Sequence, residues 1–127
     1  MADSIPIEEG DSYEEMAATY QLLGIACLNE ILAKHGVQKE IRRKICVEHA
    51  YQSSNFLDAG WLKVSGRQVW PTLCFAEKRV DPEEGLGDPT KLYAPGGFQL
   101  HEYANSGVVE YFDEFGESVE NLDFGAI

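Results

Sequence analysis

Phe98-Gln99-Leu100-His101-Glu102-Tyr103-Ala104-Asn105-Ser106-Gly107-Val108-Val109-Glu110-Tyr111-Phe112-Asp113-Glu114-Phe115 is the stretch on which the reading of the fold turns. Asn105-Ser106-Gly107 is turn chemistry: two short polar side chains that bond to nearby backbone, then a residue without a Cβ. It separates two runs rich in aromatic and β-branched residues, 98–103 and 108–115, and the pattern predicts a hairpin. As a strand, the second run sets Val109, Tyr111 and Phe115 on one face and Val108 and Phe112 on the other.

Upstream, Trp61-Leu62-Lys63-Val64 and the run from Gln68 to Phe75 predict another hairpin about Ser65-Gly66-Arg67. Pro71 has no N–H, so that strand belongs at an edge or a bulge. The connection 78–97 is long and holds Asp81-Pro82, Gly85-Leu86-Gly87-Asp88-Pro89 and Pro95-Gly96-Gly97. Structureless loops longer than about 12–15 residues are uncommon unless they function, and Leu92 and Tyr93 would let this one pack down as a lid.

The first half of the chain changes period. Ser12-Tyr13-Glu14-Glu15 fits a capping box, and Tyr13, Met16, Tyr20, Leu23, Cys27 and Ile31 follow at steps of three and four. This predicts a helix that buries those residues, widened by Leu28 and Leu32 and closed at His35-Gly36. A second helix is expected from Gln38 to Ser53. Val37, Ile41 and Ile45 form its first stripe, continued by Glu48, His49 and Gln52, while Val47, Ala50, Tyr51 and Ser54 gather opposite. The resulting expectation is a two-layer α+β fold, an N-terminal helix pair packed on a four-stranded antiparallel sheet. It occupies 12–127 as one domain, after a flexible acidic segment 1–11.

Charge is distributed unevenly. All ten Lys and Arg residues lie between Lys34 and Lys91, whereas the 22 carboxylates run from end to end, for a net charge of −12. Such a field attracts cationic surfaces and repels nucleic acid. The run Lys39, Arg42, Arg43, Lys44 reads as a solvated helix face or a partner for the acidic N-terminus. No run approaches the roughly 18 apolar residues of a membrane span, and residues 1–10 lack the basic and apolar parts of a signal peptide. Three scattered cysteines, Cys27, Cys46 and Cys74, cannot all pair within the chain and suit a reduced, cytoplasmic protein. The apolar groups on both faces of the expected strands make a homodimer interface plausible.

Chemistry is sparse. Cys46 and His49 share a helix face, but a zinc site needs three or four ligands, so no metal or other cofactor is expected. No G-x-S-x-G elbow surrounds a serine. The Gly85–Pro89 stretch lacks the Lys-Ser/Thr of a phosphate loop and is flanked by acids. Two functional expectations survive. The leading one is a non-catalytic protein-binding module, of the inhibitor, immunity or chaperone kind, that meets a basic partner. Its contact residues would be Glu110, Tyr111, Asp113, Glu114 and Phe115 on the last strand, aromatic anchors amid steering carboxylates. The alternative is a small-molecule binder or enzyme with Glu48, His49, Gln52 and His101 converging between helix two and the sheet, under the 78–97 lid.

Overall fold

The structure, a computed structural model, describes residues 6–77 and 91–125. Helix dominates it. The elements are β1 (Ile7–Glu8), α1 (Asp11–Lys34), α2 (Lys39–Ala59), β2 (Leu62–Val64), β3 (Arg67–Val69), β4 (Phe75–Ala76) and β5 (Leu92–Tyr93). A continuous helical segment, 100–114, follows: a 3₁₀ turn (Leu100–Tyr103), α3 (Ala104–Val109) and a π turn (Glu110–Glu114).

α1 and α2 form an antiparallel pair joined by a tight turn. Gly36, at φ 81°, takes the left-handed position after α1; its N–H donates to Ala33 O and that of Val37 to Leu32 O, as in a Schellman close. The start of α1 differs from the expected capping box. Gly10 is the N-cap and no side chain caps the helix; the Glu14 N–H donates to Gly10 O at 3.1 Å. α2 runs on to Ala59, past the expected end at Ser53, because Ser54 and Leu57 continue its inner face. It stops at Gly60, where a Cβ would stand 2.5 Å from the Phe56 ring and 2.7 Å from Phe56 O. Only glycine fits that exit.

The four-stranded sheet is not formed. There is a three-stranded mixed sheet in the order β1-β5-β4 and a separate two-stranded hairpin, β2-β3. β5 pairs parallel with β1 and antiparallel with β4, so Leu92 and Tyr93 are central strand residues and Tyr93 is buried. That places the described end of the expected 78–97 lid inside the sheet, and 78–90 lies outside the described residues. Ile7–Glu8, expected to be flexible, is the outer strand of the same sheet.

The predicted second hairpin is the helical segment 100–114, and the reason is tertiary. The Asp58 carboxylate, from α2, accepts the N–H of Leu100 at 2.9 Å and that of His101 at 2.8 Å, supplying an N-cap that the local sequence does not. Leu100, Ala104, Val108, Tyr111 and Phe112 then fall on one helical face and are all buried. Gly107 is a helix-crossing residue, not a turn residue: a Cβ there would lie 3.3 Å from Gln21 Oε1 and from Ile25 Cδ1 on α1.

The main core joins Leu22, Ile25 and Ala26 of α1, Cys46 and Ala50 of α2, and Ala104, Val108, Tyr111 and Phe112. A second cluster sets Tyr13, Ala17 and Leu100 against Tyr93 of the sheet. Polar pins lock the helices. Gln21 donates to Ser54 Oγ (2.8 Å) and Leu100 O (3.3 Å), and Asn29 donates to Tyr111 Oη (3.2 Å) and Glu117 Oε1 (3.0 Å). Among the described residues no buried side-chain polar atom lacks a partner.

α1 therefore buries a different face from the expected one. Tyr13, Ala17, Gln21, Leu22, Ile25, Ala26 and Asn29 point inward, whereas Tyr20 and Ile31 are each 54% exposed and Cys27 is exposed. Small and amide side chains let α2 and 100–114 approach closely, and this outweighs the apolarity of the other stripe. α1 is long and apolar enough to cross a membrane by length and composition, although the sequence had shown no such run; a third of that stretch is buried in the fold.

Candidate functional site

The hairpin 61–70 projects from the helical body. Ser65 (φ 50°) and Gly66 (φ 76°) occupy a two-residue turn with both φ angles positive, the geometry whose twist matches paired strands. The register Leu62↔Val69, Lys63↔Gln68, Val64↔Arg67 puts Leu62, Val64 and Val69 on one face. Extended by one step, it sets Trp61 opposite Trp70. Every residue from 61 to 70 is exposed, Trp61 at 53% and Trp70 at 59%, with Phe56 beside its base also open. A two-stranded hairpin that buries none of its own apolar groups is marginal alone in water. Its outer backbone edges are free among the described residues, open to strand addition.

The expected contact residues sit elsewhere and differently. Tyr111 is 1% exposed and its hydroxyl is held by Asn29, so it is a core residue and cannot anchor a partner. Burial is the first cause of its phenol being raised above its ordinary value. Phe115 is half-buried against the main core. Asp113 forms a bidentate pair with Arg43 (2.6 and 2.9 Å), and this hydrogen bonding holds its carboxyl below the usual range. Glu110 is half-exposed and Glu114 is exposed. Glu117, which the sequence did not single out, gathers Arg42 (2.8 Å), Asn29 (3.0 Å) and Lys39 (3.7 Å). Its carboxyl is depressed chiefly by the Arg42 hydrogen bond.

The four alternative pocket residues do not converge. Glu48 and His101 line one groove of about 410 Å³, between α2 and the 100–114 segment. His49 lines another, of about 280 Å³, between α1 and α2. Gln52 is exposed and lines neither. His101 is instead tied to a residue that sequence reasoning missed: its Nδ1 lies 2.6 Å from Asp58 Oδ2, with the Tyr51 ring edge-on at 5.7 Å. A carboxylate-held imidazole can act as a base, yet this carboxylate is already committed to two backbone N–H groups. Among the described residues Asp58 is the only side chain hydrogen-bonded to the His101 ring. Its chemistry is that of a cap. No signal in the sequence links Asp58 to a helix that starts 42 residues later.

The thiols differ by burial. Cys46 is fully buried and burial pushes its thiol up to about 11, which makes it inert; Cys27 and Cys74 are exposed. Among the described residues no group of three His, Cys, Asp or Glu stands close enough together to hold a metal ion. Comparison with protein-family models, curated proteins and solved structures gives no match.

Proposed function

We propose that the protein is a non-catalytic binding module that works in a reducing, cytoplasmic compartment and contacts its partner through the 61–70 hairpin. One observation carries the reading: ten consecutive residues, including Trp61, Leu62, Val64, Val69 and Trp70, are exposed on a projecting element. The register sets the Trp61–Trp70 pair on one face of the hairpin and Leu62, Val64 and Val69 on the other, and exposed tryptophans are the composition of interface anchors. The free strand edges fit a partner that adds a strand, with side chains of alternate residues giving selectivity.

The acidic field sets the charge of the partner. Ion pairs among the described residues take up Glu8, Asp113 and Glu117, while Glu102, Glu114, Glu120 and Asp123 are exposed and form none there. At a net charge of −12 the approach of a basic protein is accelerated and that of nucleic acid opposed. Glu110, Asp113 and Glu114 thus act as steering charge at most, and the apolar contact moves from Tyr111 and Phe115 to the hairpin.

Quantitative affinity capture from the native host tests this with three baits: the natural chain, Trp61→Ser/Trp70→Ser, and Glu110→Gln/Glu114→Gln. The hairpin pair is expected to lose the partner without a change in melting temperature. The amide pair is expected to retain it with slower association. A partner captured equally by the natural chain and the tryptophan variant would overturn the assignment.

A further inference from the structure

A groove of about 280 Å³ runs between α1 and α2, and its lining is unlike the rest of the surface. A quarter of the chain is charged, yet no Asp, Glu, Lys or Arg lines this groove. Its floor is Ile25, Cys46, Ala50 and Leu100, all buried, with Leu57 half-buried beside them. Two polar side chains are set among these, Gln21 and Ser54, and both are buried. The Gln21 amide spends its protons on Ser54 Oγ (2.8 Å) and Leu100 O (3.3 Å). The Ser54 oxygen therefore has a partner, but among the described residues nothing accepts its proton. Ser53, one residue earlier, differs: its hydroxyl donates back to His49 O at 2.7 Å. A buried hydroxyl proton without an acceptor is costly unless something in the groove receives it. Gly24 is the second observation. It lines the groove from α1, exposed, and a Cβ there would meet nothing within 4 Å. Glycine weakens a helix interior, and no packing contact in the protomer requires it here. Its missing side chain keeps the groove open.

We propose that the α1–α2 groove binds a small uncharged molecule, an aromatic ring bearing one carbonyl, whose oxygen accepts the Ser54 proton. The ring lies against the apolar floor and the single hydrogen bond fixes its orientation, the usual division of labour in a small-molecule site. Volume sets the size. Apolar cavities of about 150 Å³ hold a benzene ring, so about 280 Å³ has room for a ring and a short substituent. Charge sets the class. An anion would be buried without a cation beside it, in a chain of net charge −12. His49, the one lining side chain that can turn cationic, is exposed to solvent, where its charge is screened. An ammonium group brings donors and would leave the Ser54 proton unserved. The site uses none of residues 61–70, so it stands or falls apart from the partner assignment above.

Titration of the full isotope-labelled chain with acetophenone, followed by amide proton–nitrogen NMR, tests this beside two comparators: ethylbenzene, which lacks the carbonyl, and benzoate, which is charged. Acetophenone is expected to shift the amides of Gly24, Ser53 and Ser54 and to saturate with a Kd of about 1 mM or below. Benzoate should shift none of them. Ser54→Ala should lower the affinity for acetophenone relative to that for ethylbenzene by about three- to tenfold, the worth of one hydrogen bond. Taking the ratio removes any change in the shape of the groove. Gly24→Leu should abolish binding of both neutral probes and leave the chain at least as helical and as heat-resistant, since leucine favours helix and meets open space. That variant decides the matter even where Ser54→Ala fails to fold. The absence of a saturable shift at these amides below about 10 mM would overturn the proposal. So would binding that survives Gly24→Leu, a ratio unchanged by Ser54→Ala, or benzoate binding as tightly as acetophenone.

Discussion

Replacing Asp58 tests whether a side chain on α2 makes the 100–114 segment helical. Its carboxylate accepts two backbone N–H groups, at 2.9 and 2.8 Å, and pairs with His101 Nδ1 at 2.6 Å, in a site where the side chain is 7% exposed. Asp58→Ala removes all three and leaves two helix-initiating donors without a partner. A lost N-cap costs about 1–2 kcal/mol, and a charge-assisted bond to a ring nitrogen about 1.5 more, giving a loss of about 3 kcal/mol. For a domain of this size that corresponds to a fall of roughly 10 °C in Tm. Asp58→Asn keeps one acceptor oxygen in place and should cost about 1 kcal/mol, because asparagine caps nearly as well as aspartate. Urea unfolding followed by far-ultraviolet circular dichroism measures both. A loss below about 0.5 kcal/mol for Asp58→Ala would show that the segment is helical without this cap. Equal losses for Ala and Asn would show that the charge, not the cap, dominates.

Val108→Ala should cost about 2 kcal/mol and Val109→Ala less than half of that, since removing two buried methyl groups also leaves a cavity and only Val108 is fully buried; equal costs, read from urea midpoints, would favour a two-sided strand. Stability should decline as pH falls through and below 4.5, because the Glu117 carboxyl, ordinarily 4.5, is held lower by Arg42 in the folded state. That contribution is complete above the ordinary value and is lost as the folded group protonates, so Glu117→Gln should be less stable at neutral pH and less sensitive to acid; parallel pH curves for the two proteins would count against the pair. A thiol reagent should label Cys27 and Cys74 in the native protein and Cys46 only on unfolding, given its burial and a thiol pushed up to about 11; three fast thiols would mean that the α1–α2 packing opens readily.

The helix pair was legible because its signals are local: the period of apolar residues through 13–31 and the glycine after His35. Which face of α1 turns inward was not. The sequence offered an apolar stripe and a mixed one, and the choice rests on how closely Gln21 and Ile25 let Gly107 and Ser54 approach, a property of three elements together. Val108-Val109-Glu110-Tyr111-Phe112 supports strand and helix about equally when read alone, and Asn105-Ser106-Gly107 tipped it the wrong way. The deciding residue, Asp58, lies on another helix. The site fared similarly. The hairpin was legible about Ser65-Gly66-Arg67, but Arg67 is a strand residue, the second strand stops at Val69 and Phe75 pairs in the other sheet; its exposure was not legible, since apolar strand residues are expected to be covered. Tyr111 was misassigned for the matching reason: its neighbours Glu110 and Asp113 made it read as surface, yet on a helix they point elsewhere.

The charge pattern that first suggested a partner is partly spent within the molecule. Arg42 and Arg43, from the one basic run of α2, are engaged by Glu117 and Asp113 from the acidic C-terminal third, and Lys91 by Glu8 from the acidic N-terminus. The Arg43–Asp113 and Lys91–Glu8 pairs are open to solvent and contribute little to stability, whereas Arg42–Glu117 is largely covered. Their effect is to specify which ends dock where, because the acidic C-terminal third meets Arg42 and Arg43 of α2. Arg42 and Arg43 are thus engaged within the molecule, while Lys44 forms no ion pair among the described residues and Lys63 and Arg67 stand on the exposed hairpin. On the proposed reading, a partner that meets the hairpin needs an apolar centre and some acceptor groups at its rim, within a surface that is cationic on the larger scale of the field. That combination is more selective than either property alone, since a merely basic protein is repelled at the hairpin and a merely apolar one gains no acceleration from the field.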